Sequence, residues 1–183
     1  MKKTTLTGPT YLTIVRMVLS VAFFALALTP EVWAKIVALV LFVVASITDL
    51  IDGKWARKKS IVTDLGAFLD PLADKMLINL AFLALTYLYV IPVWVFAIVL
   101  VRDFAVDGMR MMAAREGVTI SASIYGKIKT VTQMTALIIL LLNLIVHVDL
   151  FTILGDIALY LALIMTVFSG LDYIIKGWKL VIK

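Results

Sequence analysis

Cysteine is missing from all 183 residues, which excludes disulfides and any metal site built on thiolates. Charge is scarce as well. Only 16% of residues are Asp, Glu, Lys or Arg, and acids are the rarer sign, 12 against 17 bases. No internal repeat or low-complexity segment is present. Nor does a cleavable signal peptide stand out. Met1 to Thr13 is short and polar, and the apolar run after it is long enough to remain as a span. What the chain has in excess is apolar character, 63% hydrophobic residues with a mean hydropathy of +1.10. A soluble domain of this length does not need so much apolar surface. The +5 net charge would suit nucleic acid, but in a membrane protein the placement of Lys and Arg is more informative than their sum. No nucleic-acid partner is expected.

A membrane-crossing helix needs about 20 mainly apolar residues. Six stretches qualify: about Leu12–Leu28, Ala34–Leu50, Leu65–Tyr89, Pro92–Met112, Lys127–Val148 and Leu150–Ile175. The expectation is an all-α integral membrane protein with six transmembrane helices, forming one domain over residues 1–183. Loop charge predicts its orientation. Lys2, Lys3, Lys54, Arg57, Lys58, Lys59, Arg110, Arg115, Lys127, Lys129, Lys176, Lys179 and Lys183 fall on one side, and little beyond Lys35 falls on the other. By the positive-inside rule both termini are cytoplasmic. The lone histidine, His147 beside Asp149, then lies on the outer side and reads as an interfacial residue.

Against this background four carboxylates stand out. Asp49 and Asp52 are three apart, and Asp70 and Asp74 are four apart, so on helices each pair shares a face. Ionisable residues at membrane depth usually mark a functional site. Converging carboxylates repel unless cations sit between them, and hard oxygen ligands suit Mg2+ or Mn2+. The stretch Gly53–Thr63 reads as a short basic connection that sets the second and third spans antiparallel. Gly66, Asp70 and Asp74 step by four along one stripe. Gly53, Gly66 and Ala56 leave room for a bulky group near the backbone, and Arg57 supplies a forked phosphate contact. Metals, a glycine-lined slot and an arginine describe a diphosphate site.

The pattern Asp-x-x-Asp-Gly-x-x-Ala-Arg, then Gly-x-x-x-Asp-x-x-x-Asp, resembles that of the CDP-alcohol phosphatidyltransferases. Asp49, Asp52, Gly53, Ala56, Arg57, Gly66, Asp70 and Asp74 fill all its positions. The resemblance implies a homodimeric enzyme of a bacterial cell membrane, with its active site facing the cytoplasm. It implies a CDP-linked lipid substrate and two divalent ions, Mg2+ or Mn2+, on Asp49, Asp52, Asp70 and Asp74. Asp74 is the implied general base for the acceptor hydroxyl. Gly53, Ala56, Arg57, Gly66 and Thr13 are the implied nucleotide and diphosphate contacts. The stretches Pro9–Arg16, Arg102–Arg110 and Ala122–Thr130 resemble the branch that moves the phosphatidyl group of CDP-diacylglycerol to glycerol 3-phosphate. For that acceptor, Arg110, Lys127, Lys129 and Arg16 are the implied phosphate ligands.

Blander readings compete at several positions. The motif aspartates could be helix-end carboxylates paired with Lys54, Arg57, Lys58 and Lys59, which leaves both glycines and the helical spacing unexplained. Lys58 and Lys59 read as topology and headgroup residues, and Arg102 with Asp103 reads as a structural ion pair to other helices. Lys127 and Lys129 are two apart, so one of them binding the acceptor is favoured over both. Inositol phosphate, inositol or serine are alternative acceptors. A divalent-cation transporter is a further alternative, disfavoured because the acids cluster at one end of one hairpin and not near the midplane.

Overall fold

The computed structural model describes residues 8–59, 64–115, 117 and 123–181. Among them are six helices and no strand: α1 (Gly8–Ala27), α2 (Val32–Lys59), α3 (Asp64–Tyr87), α4 (Val93–Arg115), α5 (Ile124–Val146) and α6 (Asp149–Val181). Two stretches, Ile124–Val146 and Asp149–Trp178, are long and apolar enough to cross a membrane. Among the described residues Thr13–Ala27, Val32–Thr48 and Lys75–Tyr87 are shorter apolar segments, the second ending just before Asp49 and the third beginning just after Asp74. Two compact units result, Met1–Leu88 and Tyr89–Lys183.

In the first unit α1 packs along both α2 and α3, whereas α2 and α3 touch each other much less. The α1 seam is Thr13, Arg16, Ser20, Phe23 and Ala27, all buried at alternating steps of three and four. Its counterpart on α2 is Ala34, Ala38, Phe42 and Ala45, where small side chains let the backbones approach. Phe23 and Phe42 meet across this seam with ring centroids 5.5 Å apart. The first helix stops at Thr29, whose hydroxyl donates to the Leu26 carbonyl at 2.6 Å, just before Pro30. Proline cannot donate to a preceding turn, so the chain reverses there. The third helix buries Ala73, Leu77, Ile78, Ala81, Phe82 and Leu85, and the turn after Tyr87 carries Tyr89 in the left-handed region at φ 59°.

One sequence expectation is corrected here. Gly53 through Lys59 does not connect two helices; it is the last part of α2. A glycine inside a helix costs only about 1 kcal/mol, and Lys, Trp, Ala and Arg that follow it are adequate helix formers. Residues 60–63 of the expected connection lie outside the described residues.

In the second unit α6 packs along both α4 and α5. Its buried seam is Leu159, Ala162, Thr166, Ser169 and Tyr173. Gly155 brings α6 close to α5: a Cβ there would lie 2.5 Å from Leu140 Cδ2. Gln133 Nε2 donates to Thr166 Oγ1 at 2.9 Å inside the same contact. In an apolar setting such a bond contributes about 0.6 kcal/mol. Ser123 caps α5 by accepting from the Gly126 N–H, and His147, at φ 51°, closes it with its N–H on the Asn143 carbonyl. Meanwhile Val101, Phe104, Ile153, Ile157, Leu161 and Ile164 point outward. Apolar outside and polar inside is the arrangement that lipid favours.

Candidate active site

The side chains of the motif residues Asp49, Asp52, Gly53, Ala56, Arg57, Gly66, Asp70 and Asp74 lie outside the described set, and their backbone belongs to α2 and α3. Those positions are informative. Because α2 is continuous, Asp49, Asp52 and Ala56 extend the line of Ala34, Ala38, Phe42 and Ala45, by steps of four, three and four. On α3 the series Gly66, Asp70 and Asp74 runs by fours into Ile78 and Phe82, both buried. Each motif series therefore stands in helical register with a packing seam of the first unit. The same residues that serve helix packing farther along give way to acids and glycines near the helix ends.

The first helix supplies two of the remaining expected residues. Thr13 is 2% exposed and Arg16 is 5% exposed, both on the seam of α1. Phe23 sits against Phe42, and seven residues from each along the antiparallel pair stand Arg16 and Asp49. Two turns of helix advance both chains by the same length, so Arg16 stands at the level of Asp49, and Thr13 at the level of Asp52. The hydroxyl of Ser20, one turn farther along, donates to the Arg16 carbonyl at 2.8 Å.

The other expected cations belong to the second unit. Asp103 on α4 is 5% exposed, and its Oδ1 accepts from Lys129 Nζ of α5 at 2.7 Å and from Arg102 Nη1 at 3.0 Å. Arg102 Nη2 also donates to Ser169 Oγ of α6 at 2.8 Å. The sequence places Arg102 and Asp103 in pairs with other helices: Asp103 makes one with Lys129, whereas Arg102 ion-pairs with Asp103 itself and reaches α6 by its hydrogen bond to Ser169. Neighbours on a helix do not face each other, yet Arg102 is long enough to turn back onto Asp103 as well. Gly170 makes this possible, since a Cβ there would lie 2.8 Å from Arg102 Cγ.

Arg110, on the same helix, donates from Nη2 to the Tyr173 hydroxyl at 2.8 Å. The Ser123 backbone N–H donates to that hydroxyl at 3.1 Å. The Tyr173 ring lies 5.1 Å from the Arg110 guanidinium carbon and 5.9 Å from that of Arg102, within range of cation–π attraction. Lys127 is exposed and Lys129 is buried, as two residues on nearly opposite sides of a helix must be. Tyr173 is the residue that the sequence reading missed. Its one signal is a polar series inside an apolar helix, Thr166, Ser169 and Tyr173, at spacings of three and four.

Among the described residues no group of three or more His, Asp or Glu is placed to hold a metal. The second unit instead gathers Arg102 and Arg110 around the buried Tyr173 and ties Arg102 and Lys129 to Asp103, a cationic arrangement that can hold an anionic group. The first unit ends in two acidic stripes, a donor set of hard oxygens that fits divalent ions.

Comparison with known proteins identifies the family. Residues 6–168 match the family model described as CDP-alcohol phosphatidyltransferase. A Bacillus subtilis (strain 168) protein named CDP-diacylglycerol–glycerol-3-phosphate 3-phosphatidyltransferase is 38% identical over 184 residues, covering 93% of this chain and 95% of the relative. Proteins of the same name are 39% identical in Rickettsia felis, over 90% of this chain and 92% of the relative, and 35% identical in Yersinia enterocolitica, over 93% and 94%. By its acids, its helices and this likeness along nearly its whole length, the chain belongs to the CDP-alcohol phosphatidyltransferase family.

Proposed function

We propose that this protein transfers the phosphatidyl group of CDP-diacylglycerol to sn-glycerol 3-phosphate, giving phosphatidylglycerophosphate and CMP. One observation carries the reading: similarity over more than nine-tenths of both chains to a relative named for that transfer. The complete eight-position motif supports it.

Asp49, Asp52, Asp70 and Asp74 would hold two divalent ions, Mg2+ or Mn2+. Such ions, when bound, offset the negative charge of the diphosphate and of the attacking and leaving oxygens. The remaining roles fall to the chain itself. Asp74 takes the proton of the acceptor hydroxyl as that oxygen attacks the lipid-side phosphorus and CMP departs. Gly53, Ala56 and Gly66 present little bulk to the nucleotide, while Arg57 and Thr13 bind its polar groups. Arg110 and Lys129 hold the acceptor phosphate, a dianion that needs several cations, while Lys127, exposed on the opposite side of α5, and Arg16, in the first unit, are the other candidates that the resemblance implies. The six helices span a bacterial membrane, with both termini and the active site on the cytoplasmic side, where the loop lysines and arginines collect. The enzyme works as a homodimer.

The test is CMP release from CDP-diacylglycerol by purified protein, with and without glycerol 3-phosphate, Mg2+ or Mn2+, and chelator. Release should require both the acceptor and a divalent ion. Activity with serine or inositol and none with glycerol 3-phosphate would assign a different acceptor. Release untouched by chelator would remove the metals.

A further inference from the structure

Asp103 poses a physical question that the motif does not answer. A buried carboxylate that carries two cations is poor value as a structural device, because well-packed apolar residues serve as well or better. Its geometry is nonetheless specific. One oxygen, Oδ1, receives both Lys129 Nζ from α5 and Arg102 Nη1 from its own helix. Arg102 in turn is tied to Ser169 on α6 and lies beside the Tyr173 ring, against which Arg110 also rests. Asp103, Val106 and Arg110 follow the same face of α4, at steps of three and four. The carboxylate thus ties together helices α4, α5 and α6, and Arg102, one of its two cations, lies beside the Tyr173 ring that Arg110 also faces.

We propose that Asp103 is a positioning residue for the acceptor phosphate, acting chiefly by holding the Lys129 ammonium in place. This rests on the glycerol 3-phosphate reading above. Lysine has a flexible four-carbon stem, so an unanchored ammonium loses much rotamer freedom on meeting its ligand. Anchored to Asp103, Lys129 has lost that freedom before the ligand arrives, and preorganisation of this kind is gained as affinity.

The experiment is a double-mutant cycle on the full-length enzyme: wild type, Asp103→Asn, Lys129→Gln, and both together, each with KM for glycerol 3-phosphate, KM for CDP-diacylglycerol and kcat from CMP release. Asp103→Asn should raise the glycerol 3-phosphate KM about tenfold or more while the CDP-diacylglycerol KM stays within about twofold. Added to Lys129→Gln, it should change the glycerol 3-phosphate KM by no more than about twofold, because the side chain it positions is already gone. Effects that multiply in the double variant would overturn the proposal, as would both KM values rising together. Should Asp103→Asn fail to fold, Lys129→Gln against the double variant, in which both members of the pair are neutral, decides alone. A double variant about tenfold worse than Lys129→Gln would then refute the positioning role. Wild-type protein with no glycerol 3-phosphate-dependent release would refute the functional reading itself; an active wild type with independent effects refutes only this inference.

Discussion

At the scale of single residues, Asp74 and Asp103 represent two uses of a carboxylate in an apolar setting. Asp103 is surrounded by cations of its own unit and cannot leave them cheaply, since removing a partner from a buried pair strands a charge. Asp74 sits where a packing seam turns acidic, and is assigned to proton transfer. Asp74→Asn should keep binding of CDP-diacylglycerol yet lower turnover by about 100-fold or more, the usual range for loss of a general base. Single-turnover CMP release beside equilibrium lipid binding measures both; a near-normal rate would take Asp74 out of the proton path. The four aspartates were readable because their spacing matches helical periodicity. Tyr173 was not, because a tyrosine in an apolar helix gives no local sign that two guanidinium groups and a backbone N–H converge on it. Which of Lys127 and Lys129 is buried also waited on the fold. Two residues apart, one had to face out, and only packing against Asp103 shows which.

At the scale of elements, helix existence was legible and helix ends were not. All six apolar runs became helices, but α2 carries on through Gly53 to Lys59 and α6 through to Val181. Hydropathy marks where lipid ends, while backbone hydrogen bonding continues as long as no proline or costly residue interrupts it. The continuity of α2 matters, since it keeps the acids in phase with the buried seam. The α5–α6 contact depends on the missing side chain of Gly155. Gly155→Val should destabilise the protein by about 1–3 kcal/mol, the usual cost of overpacking a tight contact. Thermal unfolding in detergent would register it. Leu140→Ala, which removes the atoms nearest the new group, should recover part of the loss. An unchanged midpoint in Gly155→Val would mean that these helices do not pack at that point.

At the scale of the whole molecule, the chain places large apolar side chains outward on α4 and α6 and polar ones on the seams of its two units. Orientation is the property that this scale adds. Because the protein has no cysteine, a single introduced thiol reports on one position alone. Tyr89 is 96% exposed between α3 and α4, and Arg115 is exposed at the other end of α4. Tyr89→Cys should react with an impermeant maleimide on intact cells, and Arg115→Cys only after permeabilisation. The opposite pattern would reverse the membrane orientation and place the acidic motif outside.

The amino-acid order alone determined the class of protein, the number of helices, the acidic motif and hence the family, because each of these follows from local periodicity and spacing. Which cations serve as anchors and which remain exposed, and the convergence of Asp103, Arg102, Arg110 and Tyr173, were decided by tertiary packing. These contacts join residues up to 67 positions apart, and nothing in a local window encodes which faces of α4, α5 and α6 will meet.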